Sequence, residues 1–214
     1  MTFNDKSIAR EIVRWGLEHY PNLLITSGFN LNGVVLIDIA VRAGYRGEVV
    51  FVDTGSHFPE TLQTRDAIAE QYPAVLVVTL RADAEAAKIR CGSEDCCANR
   101  KVAPLRRYMS AYRPDALLNA RSRFQASTRR DLSAVDASGE YPKINPLAYW
   151  ERSDLEAYAI DHRLPVNPLY WQGFLSIGCA PVTRKVERGE SVRAGRWEGQ
   201  PKTECGLWFG DQAL

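Results

Sequence analysis

Short apolar runs alternate with helical stretches over the first half of this chain, and that alternation restricts the fold more than any other feature. Residues 22–26 (NLLIT), 48–52 (EVVFV) and 75–80 (VLVVTL) read as buried strands. Residues 31–41 and 59–72 have helical length, the second opening with Pro59 at a first-turn position. Residues 95–112 read as another helix, 115–119 as a further strand, and 153–162 as a helix capped by Ser153. Strands regularly separated by helices predict an α/β fold with a doubly wound, mostly parallel sheet.

At 214 residues the chain is expected to form one nucleotide-binding α/β domain over residues 1–180. Residues 181–214 are expected to form a tail that packs over the site, because from residue 167 onward Gly, Pro and Arg are frequent and periodicity is weak. No apolar run approaches the roughly 18 residues of a membrane span. The charged beginning, MTFNDKSIAREIVRW, lacks the apolar core of a secretory signal. A cytoplasmic location is therefore expected, where five cysteines point to metal binding or catalysis rather than disulfides. The net charge of +1 gives no case for nucleic acid. Residues 100–130 are nonetheless strongly basic, and for Arg106, Arg107 and Arg113 the expectation is a solvated helix face.

Adjacent thiols make a strained disulfide, but Cys96 and Cys97 suit two sulfur positions on one polynuclear iron centre, with Cys179 as a third. Cys205, between Glu204 and Gly206 near the C-terminus, reads instead as a mobile nucleophile. In a doubly wound sheet, ligands bind beyond the carboxyl ends of the strands. The loop with Thr26, Ser27, Gly28, Phe29 and Asn30 lies there, at a helix N-terminus that favours an anion. So does Asp53-Thr54-Gly55, either as a tight turn or as a ribose or adenine contact. Arg100 and Lys101 follow the cysteine pair, either as exposed helix cations or as charges that offset thiolates and face an anionic substrate. Residues 120–129 follow a strand and are rich in Arg, the side chain best suited to phosphate or sulfate. His57 stands in a loop within reach of a ligand; His162 reads as a helix-end cation and His19 as structural.

Several motifs occur in a fixed order: Asp53-Thr54-Gly55 with Phe58-Pro59-Glu60-Thr61; Cys96-Cys97 with Arg100-Lys101 and Pro104-Leu105; Asn145-Pro146-Leu147; and Gly173-Phe174-Leu175-Ser176-Ile177-Gly178-Cys179. Arg193-Ala194-Gly195-Arg196-Trp197 and Glu204-Cys205-Gly206-Leu207 follow. In these the chain resembles the sulfonucleotide reductases from about residue 22 to the C-terminus, most closely the bacterial assimilatory adenylyl-sulfate (APS) reductases of the iron–sulfur type. The resemblance implies an adenine nucleotide alpha hydrolase-like fold and reduction of APS to sulfite and AMP. Cys205 would attack the sulfate sulfur, and thioredoxin or glutaredoxin would then release sulfite from the S-sulfonated cysteine. It further implies a [4Fe–4S] cluster on Cys96, Cys97 and Cys179 that passes no electrons. Lys101, Arg123 and Arg129 would contact the phosphosulfate, with Thr26, Ser27, Gly28, Asn30, Asp53, Thr54 and Gly55 around the nucleotide and Gln125 as a further substrate-binding residue. A homo-oligomer is left open.

The chain departs from the family's pattern where a fourth cluster cysteine is expected, which here is Val182. Three readings follow: a three-cysteine cluster with an open iron, replacement by Cys91, or a lost or labile centre. Ala120, Ser122 and Ala126 also depart, as do Gly28-Phe29-Asn30 in a serine-rich region and Trp208 in place of a histidine. Rival functions are reduction of the 3′-phosphorylated substrate (PAPS) and an ATP-dependent sulfur transfer using a three-cysteine cluster. Sulfite and AMP from APS, or pyrophosphate from ATP, separate reductase from transferase.

Overall fold

The structure is a computed structural model that describes residues 8–200 together with Lys202 and Glu204. Four parallel strands form its centre: β1 (Leu23–Thr26), β2 (Glu48–Asp53), β3 (Leu76–Arg81) and β4 (Ala116–Leu118). Two short strands, β5 (Val135–Asp136) and β6 (Lys143–Ile144), extend the sheet to the order β3-β2-β1-β4-β6-β5, with only the β5–β6 pair antiparallel. Ile25 lies level with Val49 on one side and Leu118 on the other. Chain order reverses on either side of β1, so the crevice beyond the ends of β1 and β4 is the switch point where such sheets hold ligands.

Side chains alternate across the sheet and build two cores. Leu23, Ile25, Val49, Phe51 and Leu118 join α1 (Ala9–His19), α2 (Leu31–Ala43) and α5 (Arg152–Asp161) in the larger one. Leu24, Val50 and Leu117 meet Leu105 and Met109 of α4 (Ala103–Tyr112) in the smaller. α2 is buried almost all round, as its continuous apolar sequence requires. Asn30 caps it by accepting the Gly33 amide at 3.0 Å, and Gly44 ends it at φ 111°. α3 (Pro59–Gln71) opens on its proline, and a short α6 (Pro168–Trp171) follows Asn167. Among the described residues no helix is long and apolar enough to cross a membrane.

Two local expectations change. Ser153 is not the cap of α5: Glu151 is, in a reciprocal box with Asp154, whose carboxylate accepts the Glu151 amide at 2.7 Å. The helix expected over 95–112 contains a π-turn at Ala98–Val102, directly after the cysteine pair. Such a turn inserts one residue into the helical ladder and re-aims side chains on either side. Here it turns Arg100 and Lys101 inward, so that both are buried rather than exposed.

The α2 core contains a fully buried carboxylate. Asp38 accepts from Arg42 Nε at 2.7 and 2.9 Å, from Tyr72 Oη at 2.7 Å and from Tyr158 Oη at 2.6 Å. Burial pushes this carboxyl up, and Arg42, Tyr158 and Tyr72 outweigh it, so its pKa ends below the ordinary value. The folded state thus binds fewer protons than the unfolded one, which makes this contribution complete above the ordinary Asp value and lost as pH falls through the folded value. Asp38→Ala should cost about 3 kcal/mol by urea unfolding near neutral pH. The gap from the wild type should close on acidification; a gap that is the same at pH 7 and in strong acid would refute the ionic account.

Candidate active site

A cavity of about 250 Å³ opens at the switch point. Its floor is the loop after β1: Thr26, Ser27, Gly28 and Asn30 all line it, beside Gly33 at the first turn of α2. Ser27 Oγ accepts the Phe29 amide at 3.0 Å, which holds Phe29 at φ 50° and folds the loop tightly. Gly33 has no room for a side chain, since a Cβ there would stand 2.5 Å from Ser27 Oγ. Asn119, after β4, faces Thr26 across the crevice, and its Nδ2 has no partner among the described residues. His57 lines the opposite side with Nε2 3.1 Å from the Val52 carbonyl and Nδ1 buried without a partner. Burial lowers its pKa, so His57 is a neutral imidazole near pH 7.

The upper wall is cationic. Lys101, Arg121, Arg129, Arg193 and Arg196 reach the cavity from separate parts of the chain. Residues 182–197 loop back on themselves, with Arg184 N to Gly195 O at 2.8 Å and Trp197 N to Val182 O at 3.1 Å, and so deliver Arg193 and Arg196. Gly178 permits this approach: a Cβ there would lie within 2.2–2.5 Å of the Arg196 guanidinium. Arg196 also stacks 4.2 Å from the Trp197 ring. Arg129 is aimed by Gln125, whose side-chain oxygen accepts from both the Ser122 amide and Arg129.

An anion already sits against this wall. The Glu204 carboxylate accepts from Arg129 Nε at 2.9 Å and NH2 at 3.0 Å, and from Arg193 NH2 at 3.0 Å. Glu204 is only 9% exposed and Arg129 14%, so this is a largely desolvated two-pronged pair rather than a surface ion pair. Cys205 follows Glu204 directly in sequence and lies outside the described residues.

Behind the cavity is a group of thiols. Cys96, Cys97 and Cys179 are buried and Cys91 is half-buried. Cys91 lies within electrostatic range of Cys179, Cys96 and Ser56. Cys179 Sγ is 3.3 Å from Thr54 Oγ1 and also hydrogen-bonds to Lys101. Burial raises the Cys179 thiol, but Lys101, Thr54 and Arg196 outweigh that and leave it below its ordinary value. Cys91, lacking such cations, is pushed up to about 11 by burial and its two thiol neighbours. Among the described residues no three ligating side chains converge tightly enough for a single metal ion. Thiols grouped with cations nearby have instead the donor chemistry of a polynuclear iron–sulfur centre, whose sulfurs attach to different irons.

The residues singled out from the sequence therefore divide. Thr26, Ser27, Gly28, Asn30, Lys101, Gln125 and Arg129 line one cavity. Asp53, Thr54 and Gly55 do not: Asp53 accepts the Gly55 amide at 2.9 Å and Arg81 Nε at 3.1 Å, closing a tight turn, and Thr54 faces the thiols. Arg123 also lies apart from the cavity, donating to the Leu132 carbonyl at 2.8 Å with its guanidinium 4.4 Å from the Tyr149 ring. Arg193, Arg196 and Glu204 carry no individual role in the sequence reading. Their signal is there: two arginines three apart in a Gly-containing loop, and an acid beside a terminal cysteine.

A cationic cavity at the switch point of a mostly parallel sheet, in a chain that also buries three cysteines, marks this as an α/β protein that gathers positive charge at one sheet edge. The chain belongs to the phosphoadenosine phosphosulfate reductase domain family, whose model matches residues 22–185. It is 57% identical to the adenosine 5′-phosphosulfate reductase of Deinococcus radiodurans over 99% of this chain and 86% of that one. The Streptomyces coelicolor enzyme of the same name is 40% identical over 95% and 89%. A solved phosphoadenylyl-sulfate reductase from Candida auris, in complex with phosphate, superposes with a TM-score of 0.69 at 27% identity, covering 83% of this chain and 90% of that one. The FMN adenylyltransferase of Candida glabrata shares the fold alone, with a TM-score of 0.66 at 11% identity.

Proposed function

We propose that this protein reduces APS to sulfite and AMP, with Cys205 as the nucleophile. The observation that carries the reading is the Arg129–Arg193 pair holding the carboxylate of Glu204, the residue before Cys205. It supports an anion site for the phosphosulfate and ties the tail to the same place. The adenosine would lie over the loop with Thr26, Ser27, Gly28 and Asn30, where unpartnered Asn119 Nδ2 and His57 Nδ1 offer polar contacts. Lys101, Arg129, Arg193 and Arg196 would bind the phosphosulfate oxygens and stabilise the charge that builds on departing AMP.

The Cys205 thiolate forms a bond to the sulfate sulfur as the bond from that sulfur to the bridging phosphate oxygen breaks, and that oxygen leaves with AMP. A thioredoxin or glutaredoxin dithiol then supplies two electrons: one thiolate attacks the Cys205 sulfur and expels sulfite. The second thiol closes the carrier's disulfide and returns the Cys205 thiolate. Cys96, Cys97 and Cys179 fit as ligands of an iron–sulfur cluster whose charge would be balanced by buried Lys101 and Arg100. When bound, it would supply an electrostatic environment rather than electrons.

The test is incubation of the anaerobically purified protein with APS, thioredoxin and a thioredoxin-recycling system. Sulfite and AMP in equal amounts are expected, and without thioredoxin a sulfonate adduct on the peptide containing Cys205. Pyrophosphate released from ATP, with no sulfite from APS, would overturn the reading.

A further inference from the structure

We propose that Cys91 supplies the fourth thiolate of the iron–sulfur cluster, in the corner of the site where the chain carries Val182. The inference deepens the cluster reading above and rests on it. Four-iron clusters have four corners, each of which can take one protein ligand. Of the four cysteines among the described residues, Cys96, Cys97 and Cys179 are each buried, and Cys91 lies within electrostatic range of both Cys179 and Cys96. The chain brings it there by two consecutive turns: Ser93 N reaches Arg90 O at 3.2 Å and Cys96 N reaches Ser93 O at 3.2 Å. These fold back the four residues between Cys91 and Cys96, which keeps the first thiol within electrostatic range of the second.

The neighbourhood of Val182 strengthens the case. Gly92, next to Cys91, sits at φ 93°, and a Cβ on it would stand 2.9 Å from Val182 Cγ1. The loop of Cys91 is thus pressed against the side chain of Val182 and reaches the same edge of the thiol group. A side chain at Gly92 would have to displace Val182 and adopt a left-handed backbone, which explains glycine there. Arg100 clasps the same loop, donating to the Ile89 carbonyl at 3.2 Å. A thiol has therefore been presented from a neighbouring turn where the expected turn, Ala180–Val182, offers only an apolar side chain.

The experiment compares the full-length wild type, Cys91→Ala and the double variant Cys91→Ala/Val182→Cys, each reconstituted anaerobically with iron and sulfide. Iron per chain is measured before and after mild ferricyanide oxidation, with electron paramagnetic resonance to detect a three-iron cluster. Four thiolates shield every iron, so the wild type should retain about four irons and give no three-iron signal. Cys91→Ala should fall to about three on oxidation and show that signal. The double variant should recover the wild-type behaviour, because position 182 abuts the same loop; it also answers any loss of folding in the single variant. A three-iron signal of equal size in wild type and Cys91→Ala would overturn the proposal, as would a stable four-iron cluster in Cys91→Ala. Absence of iron from the reconstituted wild type would overturn it too. All three outcomes leave sulfite production from APS as a separate question.

Discussion

Cys205→Ser is expected to lower sulfite release from APS by about a thousandfold or more, with APS affinity within a factor of about two of the wild type. Serine keeps the shape but not the chemistry. Its hydroxyl is a poor nucleophile without a base, and an ester formed from it would have no sulfur–sulfur bond for a thioredoxin thiolate to cleave. Binding should persist because the cations assigned to the phosphosulfate belong to other residues. Sulfite assay and equilibrium binding, run side by side, make the check. Turnover within tenfold of the wild type, or a sulfonate adduct recovered on Cys91, would remove Cys205 from the role.

Arg129→Ala should weaken APS binding by about 10- to 150-fold, while Arg123→Ala should change it by no more than about twofold. Charge-assisted bonds to a buried anion contribute about 1.5–3 kcal/mol each. Arg129 is poised for such a bond by Gln125 and already makes one to Glu204. Arg123, six residues earlier, spends its guanidinium on Tyr149 and the Leu132 carbonyl. Arg106 is a second control, exposed on α4. Calorimetric titration with APS checks all three. Equal losses at Arg123 and Arg129 would mean that the basic segment acts as a diffuse patch and that the cavity is not the anion site.

The main strands and helices could be read from the chain because each is a long local pattern. β5 and β6, two residues each, are too short to have one and exist only through pairing, β6 with β4 and β5 with β6. The sheet edge to which the loops belong could also be read, since it follows from strand direction, and residues 26–30 and 53–55 both stand at it, after β1 and β2. Which way each loop turns could not. Asp53 follows β2 as Thr26 ends β1, yet Asp53 closes a turn on the thiol side. Arg121 and Arg129 reach the cavity, while Arg123, at the start of the first of two single-turn helices between them, does not. The π-turn that buries Lys101 has no residue signature, and Arg193 and Arg196 arrive from a distant loop. Cys205 was singled out from its neighbours in sequence, and its position lies outside the described residues.

The engaged carboxylate of Glu204 has a consequence for how occupancy of the site would be measured. One fork of arginine donors cannot serve two anions at once, so at the proposed site an incoming sulfonucleotide and the chain's own side chain would compete by mass action. The apparent dissociation constant of the free enzyme then equals the intrinsic one divided by the fraction of molecules in which Glu204 has let go. Were that fraction one in a hundred, a ligand would look about a hundredfold weaker than its contacts warrant. The exchange is reciprocal: each arrival frees the residue beside the thiol, and each departure recaptures it. Vacancy of the proposed site and engagement of Glu204 would thus be two readings of a single equilibrium.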